Sequence, residues 1–370
     1  MKSLIHAILS GLILGCTIIL VNQALQHESS NKIAYSLFNN DNAPVSYYHA
    51  IERSAPAVVN IFIQVTDLKY DGSKQDSAIS NANISSASGI IMHSDGYILT
   101  NYHVIMNASM AGSSIYVQLR NGKTYLAKVL GYDKRTDIAV LKVTTKDVLP
   151  VIPINTKTVP RLGDVVLAIG NPYNIGQTVT VGIISAVGRS GSGITNMNTL
   201  DLKPGIQEFI QTDAAINSGN SGGALVNTKG EYIGMNTATL SSVETQTNGI
   251  SFAISAELSL KIMQEIIHHG RVIRGYLGIL ARDSAYSDIQ DGKLGSYQSG
   301  IIVTSIDPNG PAQDILMQND VIVSINDVRV TDLKQAMTMI ASSKPDTVLN
   351  FSVVRDGKLI NCQVTVVEQI

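Results

Sequence analysis

Residues 211–227 read QTDAAINSGNSGGALVN, and within this stretch Gly219, Gly222 and Gly223 surround Ser221. The chain then turns at once into the apolar run Ala224–Val226. A flexible linker is rarely bounded so sharply by a strand. Two readings fit this stretch. It is either a glycine turn of a hairpin or the seat of a nucleophilic serine, whose neighbours must lack Cβ atoms so that backbone amides can converge. The second reading requires chemical partners elsewhere in the chain.

Two such partners are present. His103 lies in TNYHV (Thr100–Val104), and Asp137 lies in RTDIAVLKV (Arg135–Val143). A serine hydroxyl is a poor nucleophile at neutral pH, so an imidazole must accept its proton during attack. The imidazole in turn needs a buried carboxylate to fix its tautomer and stabilise its charged form. The N–H groups of Gly219 and Ser221 are the candidate oxyanion hole. Taken singly, His103 reads as an ordinary hydrogen-bonded histidine and Asp137 as a turn or cap residue. Together each stands at the edge of an apolar strand, in the order His, Asp, Ser. That is the order used on chymotrypsin-type double barrels.

The segments between these residues support that architecture. From Ala57 to about Ile254 short strands rich in Val, Ile and Thr alternate with turn signals, as in an all-β barrel. Gly96 in SDG and Asn121-Gly122 mark hairpins. The first helix-length amphipathic segment of this region is AELSLKIMQEIIHHG, with Leu258, Ile262, Ile266 and Ile267 on one face and Gly270 as its stop. The fold expected is mainly β, a double β-barrel over 47–270. Two polar stretches, Asp71–Ala87 and the residues after Arg189, read as insertions.

Composition narrows the function. With 44% apolar and 15% charged residues, the 370-residue chain can fill several cores. A net charge of −2 and the lack of Trp argue against nucleic acid as a partner. No Cys/His cluster has metal-ligand spacing, so neither a metal nor another cofactor is expected. Cys16 and Cys362 lie near opposite ends, and no disulfide is expected between them.

Leu4–Val21 contains no Asp, Glu, Lys or Arg and is long enough to span a bilayer. With Lys2 before it and Glu28 after it, residues 1–25 read as an uncleaved transmembrane anchor with its N-terminus inside. The alternatives are a signal cleaved after Ala24 and a lipoprotein box ending at Cys16. All three export the rest of the chain. Residues 26–46 read as a polar tether.

SAPAVVNIF (Ser54–Phe62), TNYHV, DIAVLKV, GDVVLAIGNPY (Gly163–Tyr173), QTVTVGIISAVGR (Gln177–Arg189), the Ser221 stretch and GISFAI (Gly249–Ile254) follow in one order. In that order they resemble the HtrA family of serine proteases. The resemblance implies that His103, Asp137 and Ser221 act as base, orienting acid and nucleophile. Ala215, six residues before the nucleophile, corresponds to a residue that lines the primary pocket. With Ile216, Gly249 and Ser251 it implies an apolar slot for small aliphatic P1 residues rather than Lys or Arg. Residues 271–370 resemble one α+β PDZ domain, with Tyr276, Leu277, Gly278 and Ile279 as the loop that binds a peptide carboxylate. QDILMQND lacks the small residue and glycine usual before the last helical turn there.

The membrane-anchored members of the family imply more. Their PDZ domain senses the exposed C-termini of misfolded outer-membrane proteins, a regulatory loop beginning at Arg189 shifts, and the protease cuts a membrane-spanning anti-sigma factor on its periplasmic side. They are homotrimers of the inner membrane, with the catalytic and PDZ domains in the periplasm. A broad quality-control protease for unfolded periplasmic proteins is the alternative enzyme. An inactive PDZ scaffold is the alternative of another class.

Overall fold

The computed structural model describes residues 46–67, 80–106, 113–157, 159–171, 176–189, 209–217, 219–239, 249–291, 294 and 296–368. The described residues from Tyr48 onward form one compact unit. The candidate anchor, nearly all of the tether and the loop 190–208 lie outside the described residues. Among the described residues no helix is long and apolar enough to cross a membrane.

Strands β1 (Val58–Asp67), β2 (Ser80–His93), β3 (Tyr97–Thr100), β4 (Ser113–Gln118), β5 (Thr124–Asp133) and β6 (Ile138–Val143) close into a first barrel. Its neighbours run β1-β2-β3-β6-β5-β4. Ile61, Ile63, Ile90, Leu99 and Val117 are all buried in this half of the protein. The β2–β3 turn is set by Gly96 at φ 91, where a Cβ would meet the Val143 carbonyl at 2.3 Å. Residues 80–87 belong to β2 and pair with β1, as in Val65↔Asn83 and Ile61↔Ala87. Their polar composition reads as an insertion, but an antiparallel ladder needs backbone pairing rather than apolar side chains to extend a hairpin.

A second closed barrel contains β7 (Val165–Gly170), β8 (Thr178–Arg189), β9 (Phe209–Thr212), β10 (Ala224–Asn227), β11 (Tyr232–Thr239) and β12 (Ser251–Ser255). Val166, Ala168, Ile184, Ile210, Leu225, Ile233 and Ala253 fill it. After β12, Ser255 caps a helix over Ala256–His269 by accepting the Leu258 N–H at 3.2 Å. Gly270 ends the helix at φ 72, and its N–H returns to the Ile266 carbonyl. This helix packs on β5, β6, β11 and β12, so it covers both barrels. That explains the continuous apolar run of β6, which is buried on two faces.

Beyond the helix, β14 (Ile279–Asp283), β15 (Ile301–Ile306), β16 (Val321–Ile325), β18 (Val348–Arg355) and β19 (Lys358–Thr365) form one antiparallel sheet with β14 at its edge, and the short β17 (Val328–Arg329) pairs with β16. Short strands β13 (Gly275–Tyr276) and β20 (Val367–Glu368) pair beside it. Leu277, Val303, Phe351, Val353 and Val364 make the core beneath the sheet, and Ala336 of the helix Leu333–Ser342 joins them. Asn319, at φ 74, takes the left-handed position in the segment where glycine is usual.

The linker to this domain is fastened by a buried pair. Arg274 makes two bonds to Asp133 at the end of β5, at 2.7 and 2.6 Å, with both side chains less than a tenth exposed. Burial alone would raise the Asp133 carboxyl. The guanidinium of Arg274, with the hydroxyl and N–H of Thr136, holds it below the usual carboxylate range. A depressed native pKa gives stability that is complete above the unfolded value, about 3.9, and is lost as pH falls through the folded value. Asp133→Asn should therefore lower the urea midpoint at pH 7 and flatten its fall below pH 4 relative to the unsubstituted chain.

Gly131 in β5 faces the Gly270 carbonyl, which a Cβ would meet at 2.3 Å. Gly131→Ala is expected to cost roughly 1–3 kcal/mol, read by the urea midpoint.

Candidate active site

The chain rises from β3 into a one-turn helix, Tyr102–Ile105, that carries His103. Asn101 stands at the N-cap with its side chain turned away from capping. Its amide donates instead to the Asp137 carbonyl at 3.0 Å, and the Tyr102 N–H reaches the same oxygen at 3.1 Å. Asp137 lies just before β6 at φ 57, a left-handed conformation that aspartate tolerates better than most residues. It is 1% exposed. Its Oδ1 accepts the His103 backbone N–H at 2.9 Å, and its Oδ2 lies 2.8 Å from His103 Nδ1. The carboxylate thus grips both the ring and the backbone of the histidine. An imidazole held this way has its Nδ1 proton committed to the acid and its Nε2 left for acid–base work.

The second barrel supplies the rest. Thr237 of β11 donates its hydroxyl to Asp137 Oδ2 at 2.8 Å, and its carbonyl accepts the Ser221 hydroxyl at 3.3 Å. One residue therefore touches both Ser221 and Asp137. Ser221 Oγ is directed at this carbonyl, and no Ser221–His103 hydrogen bond is formed among the described residues. Around Ser221 the backbone is tightly folded. Gly219 sits at φ 99 and Gly222 at φ 80, and a Cβ on Gly222 would come within 2.2 Å of the Ser88 carbonyl.

The pocket residues separate. Ala215 is exposed, and its carbonyl accepts the Thr180 hydroxyl at 2.7 Å. Ile216 is 2% exposed and belongs to the second barrel's core. Gly249 takes φ 94 just before β12, and Ser251 is buried in β12 beside Thr212. Arg189 ends β8.

In the C-terminal domain, Gly278 at φ 75 approaches Gly310, whose Cα a Cβ would meet at 2.7 Å. Leu277 is buried in the domain core, and Ile279 starts the edge strand β14. Tyr276 donates its hydroxyl to Asp307 Oδ2 at 2.7 Å, which pushes the phenol pKa up; the Asn309 N–H and then Tyr276 hold the Asp307 carboxyl down. The loop 276–279 thus leads into an unpaired sheet edge, the geometry that strand addition by a peptide requires.

Sequence reasoning missed Thr237, Asn101, Thr100 and Ser88. The available signal for Thr237 was the polar pair Asn236-Thr237 in the middle of an otherwise apolar strand.

Two closed barrels with histidine, aspartate and serine at their junction, followed by a PDZ-type sheet, define a trypsin-like serine endopeptidase with a peptide-binding module. Family comparison agrees: residues 87–235 match the trypsin-like peptidase domain and 275–366 the PDZ domain. The chain is 44% identical to the serine endoprotease DegS of Salmonella typhimurium over 370 residues, covering 99% of this chain and 98% of that protein. It is 42% identical to DegS of Escherichia coli K12, with 99% and 98% covered. Among solved structures, the HtrA-type protease AlgW with a decapeptide superposes with a TM-score of 0.74 at 37% identity, covering 88% of this chain and 99% of that one. The chain belongs to the HtrA family of serine endoproteases, and its full-length similarity is to DegS.

Thr237→Val removes the hydroxyl that supports Asp137 while keeping shape. One hydrogen bond to a charged group is worth about 1.5–3 kcal/mol. A loss of at least ~10-fold in kcat with little change in KM is expected from steady-state hydrolysis of a peptide substrate.

Proposed function

We propose that the chain is an envelope stress sensor that cleaves the periplasmic part of a membrane-spanning anti-sigma factor. In this reading Ser221 attacks, His103 takes and returns the proton, and Asp137 orients the imidazole. The N–H groups of Gly219 and Ser221 bind the developing oxyanion. The observation that carries the catalytic part is the double grip of Asp137 on His103, with Thr237 linking that carboxylate to Ser221. Ala215, Ile216, Gly249 and Ser251 border the slot for a small aliphatic P1 side chain, and no acid stands at position 215 to favour Lys or Arg.

The sensing part rests on the loop Tyr276–Ile279 and the open edge of β14. The exposed C-terminus of a misfolded outer-membrane protein would add to that edge, its carboxylate facing the loop amides. Binding must favour the competent protease over the resting one, or no activation follows. The loop after Arg189 is the segment through which the response passes. Residues 1–25 anchor the chain in the inner membrane, 26–46 tether it, 47–270 form the protease and 271–370 the PDZ domain. The assembly is a homotrimer, and both folded domains stand in the periplasm.

The test is cleavage of a periplasmic anti-sigma fragment with and without peptides bearing a free apolar C-terminus. Peptide should accelerate cleavage, and cleavage should follow a small aliphatic residue. Indifference to every peptide, or cutting mainly after Arg, overturns the reading. Asp137→Asn should lower kcat by about 10⁴-fold, and Ser221→Ala should abolish cleavage. Removal of 271–370 should raise basal cleavage and end the peptide response, as read in the same assay.

A further inference from the structure

Ser88, near the end of β2, is buried in the first barrel and hydrogen-bonded at every polar position. Its N–H donates to the Ser221 carbonyl at 3.0 Å. Its hydroxyl donates to the Gly219 carbonyl at 2.6 Å and accepts the Asn171 N–H at 2.8 Å. Its own carbonyl accepts the Thr100 hydroxyl at 2.8 Å. Gly219, Ser221 and Asn171 all belong to the second barrel's side of the junction.

We propose that Ser88 is a positioning residue for catalysis, which holds the oxyanion turn in register with the histidine and aspartate of the opposite barrel. The inference rests on the reading of Ser221 as nucleophile and of Gly219 and Ser221 as oxyanion donors. Among the described residues, each of those two is held through its carbonyl by Ser88 alone. A serine hydroxyl has one proton. The Asn171 N–H occupies a lone pair, so the proton is directed at Gly219. The Asn220 N–H is bonded to the Asn217 carbonyl at 2.9 Å. The peptide between Gly219 and Asn220 is therefore fixed at both its oxygen and its nitrogen.

The clamp crosses between barrels where the backbones lie too close to admit a side chain at position 222. A Cβ on Gly222 would meet the Ser88 carbonyl at 2.2 Å and the Thr100 hydroxyl at 2.4 Å. Thr100 stands just before the segment that carries His103. One bonded chain therefore runs from the end of β3, next to the helix that carries His103, through Ser88 to the turn that carries Ser221. Oxyanion stabilisation depends on donors already aimed at the developing charge, and a shift of about 1 Å can cost ~100-fold.

The experiment uses the full-length chain with a decapeptide of free apolar C-terminus present. It measures hydrolysis of a fluorogenic peptide with Val at P1, labelling by a fluorophosphonate, and thermal midpoint. Ser88→Ala should retain a midpoint well above the assay temperature and a KM within about threefold, while kcat and the labelling rate both fall by roughly 30-fold. Ser88→Cys, nearly isosteric with a weaker donor, should fall between. A folded Ser88→Ala with kcat within twofold of the unsubstituted chain overturns the proposal, as does a loss borne by KM. Should Ser88→Ala not fold, Ser88→Cys decides: unchanged kcat, or failure of that variant to fold as well, assigns Ser88 to architecture and overturns it. Ser221→Ala tests the parent reading separately, since labelling that survives that change, or an unsubstituted chain that neither hydrolyses nor labels, removes both.

Discussion

The arrangement of this protein depends on the Asp137 carboxylate, which the two barrels share. From the first barrel come the backbone and ring of His103; from the second comes the Thr237 hydroxyl. At 1% exposure such a group is tolerable only with its acceptor sites filled. Three donors fill them, and its carbonyl takes two more from Asn101 and Tyr102. The left-handed backbone at Asp137 fits this role, because the turn must present carboxylate and carbonyl to one histidine-bearing segment at once.

Once that junction is fixed, the remaining parts have little freedom. Gly222 must lack a side chain because β2 passes against it, and the helix Ala256–His269 must lie across both barrels to cover β6. The site is then a property of the interface between barrels, where small relative movements change chemistry. A serine whose hydroxyl rests on the Thr237 carbonyl needs only side-chain rotation to leave it. The glycine turn that carries the serine is held more firmly, by backbone carbonyls bonded into the other barrel.

Much of this was legible in the chain itself. His103, Asp137 and Ser221 stand out because each interrupts an apolar strand pattern at its edge, and Gly96 and Gly122 mark turns that the structure contains at positive φ. The helix stop at Gly270 was legible for the same reason. Residues 80–87 were not, because a polar hairpin extension and a loop have the same composition. Thr237 and Ser88 escaped for a further reason. A hydroxyl's meaning lies in its partners, and here those partners are distant in sequence, Asp137 for one and Gly219 for the other.

The same logic extends to the attachment of the C-terminal domain. Asp133 and Asp137 bound one turn, and their carboxylates face different clients. Asp133 holds Arg274 of the linker and Thr136 of the turn, and Asp137 holds the histidine. Both groups are buried, so neither can lose its partner without leaving a charge uncompensated in a low-dielectric setting. The turn is consequently pinned at both ends by buried, hydrogen-bonded carboxylates. Arg274 leads directly into β13, which pairs with β20, so the start of the C-terminal domain is tied to the turn that carries the catalytic carboxylate. Under the proposed sensing of a peptide at the edge of β14, this short buried turn, with a carboxylate at each end, is where the linker and the triad meet.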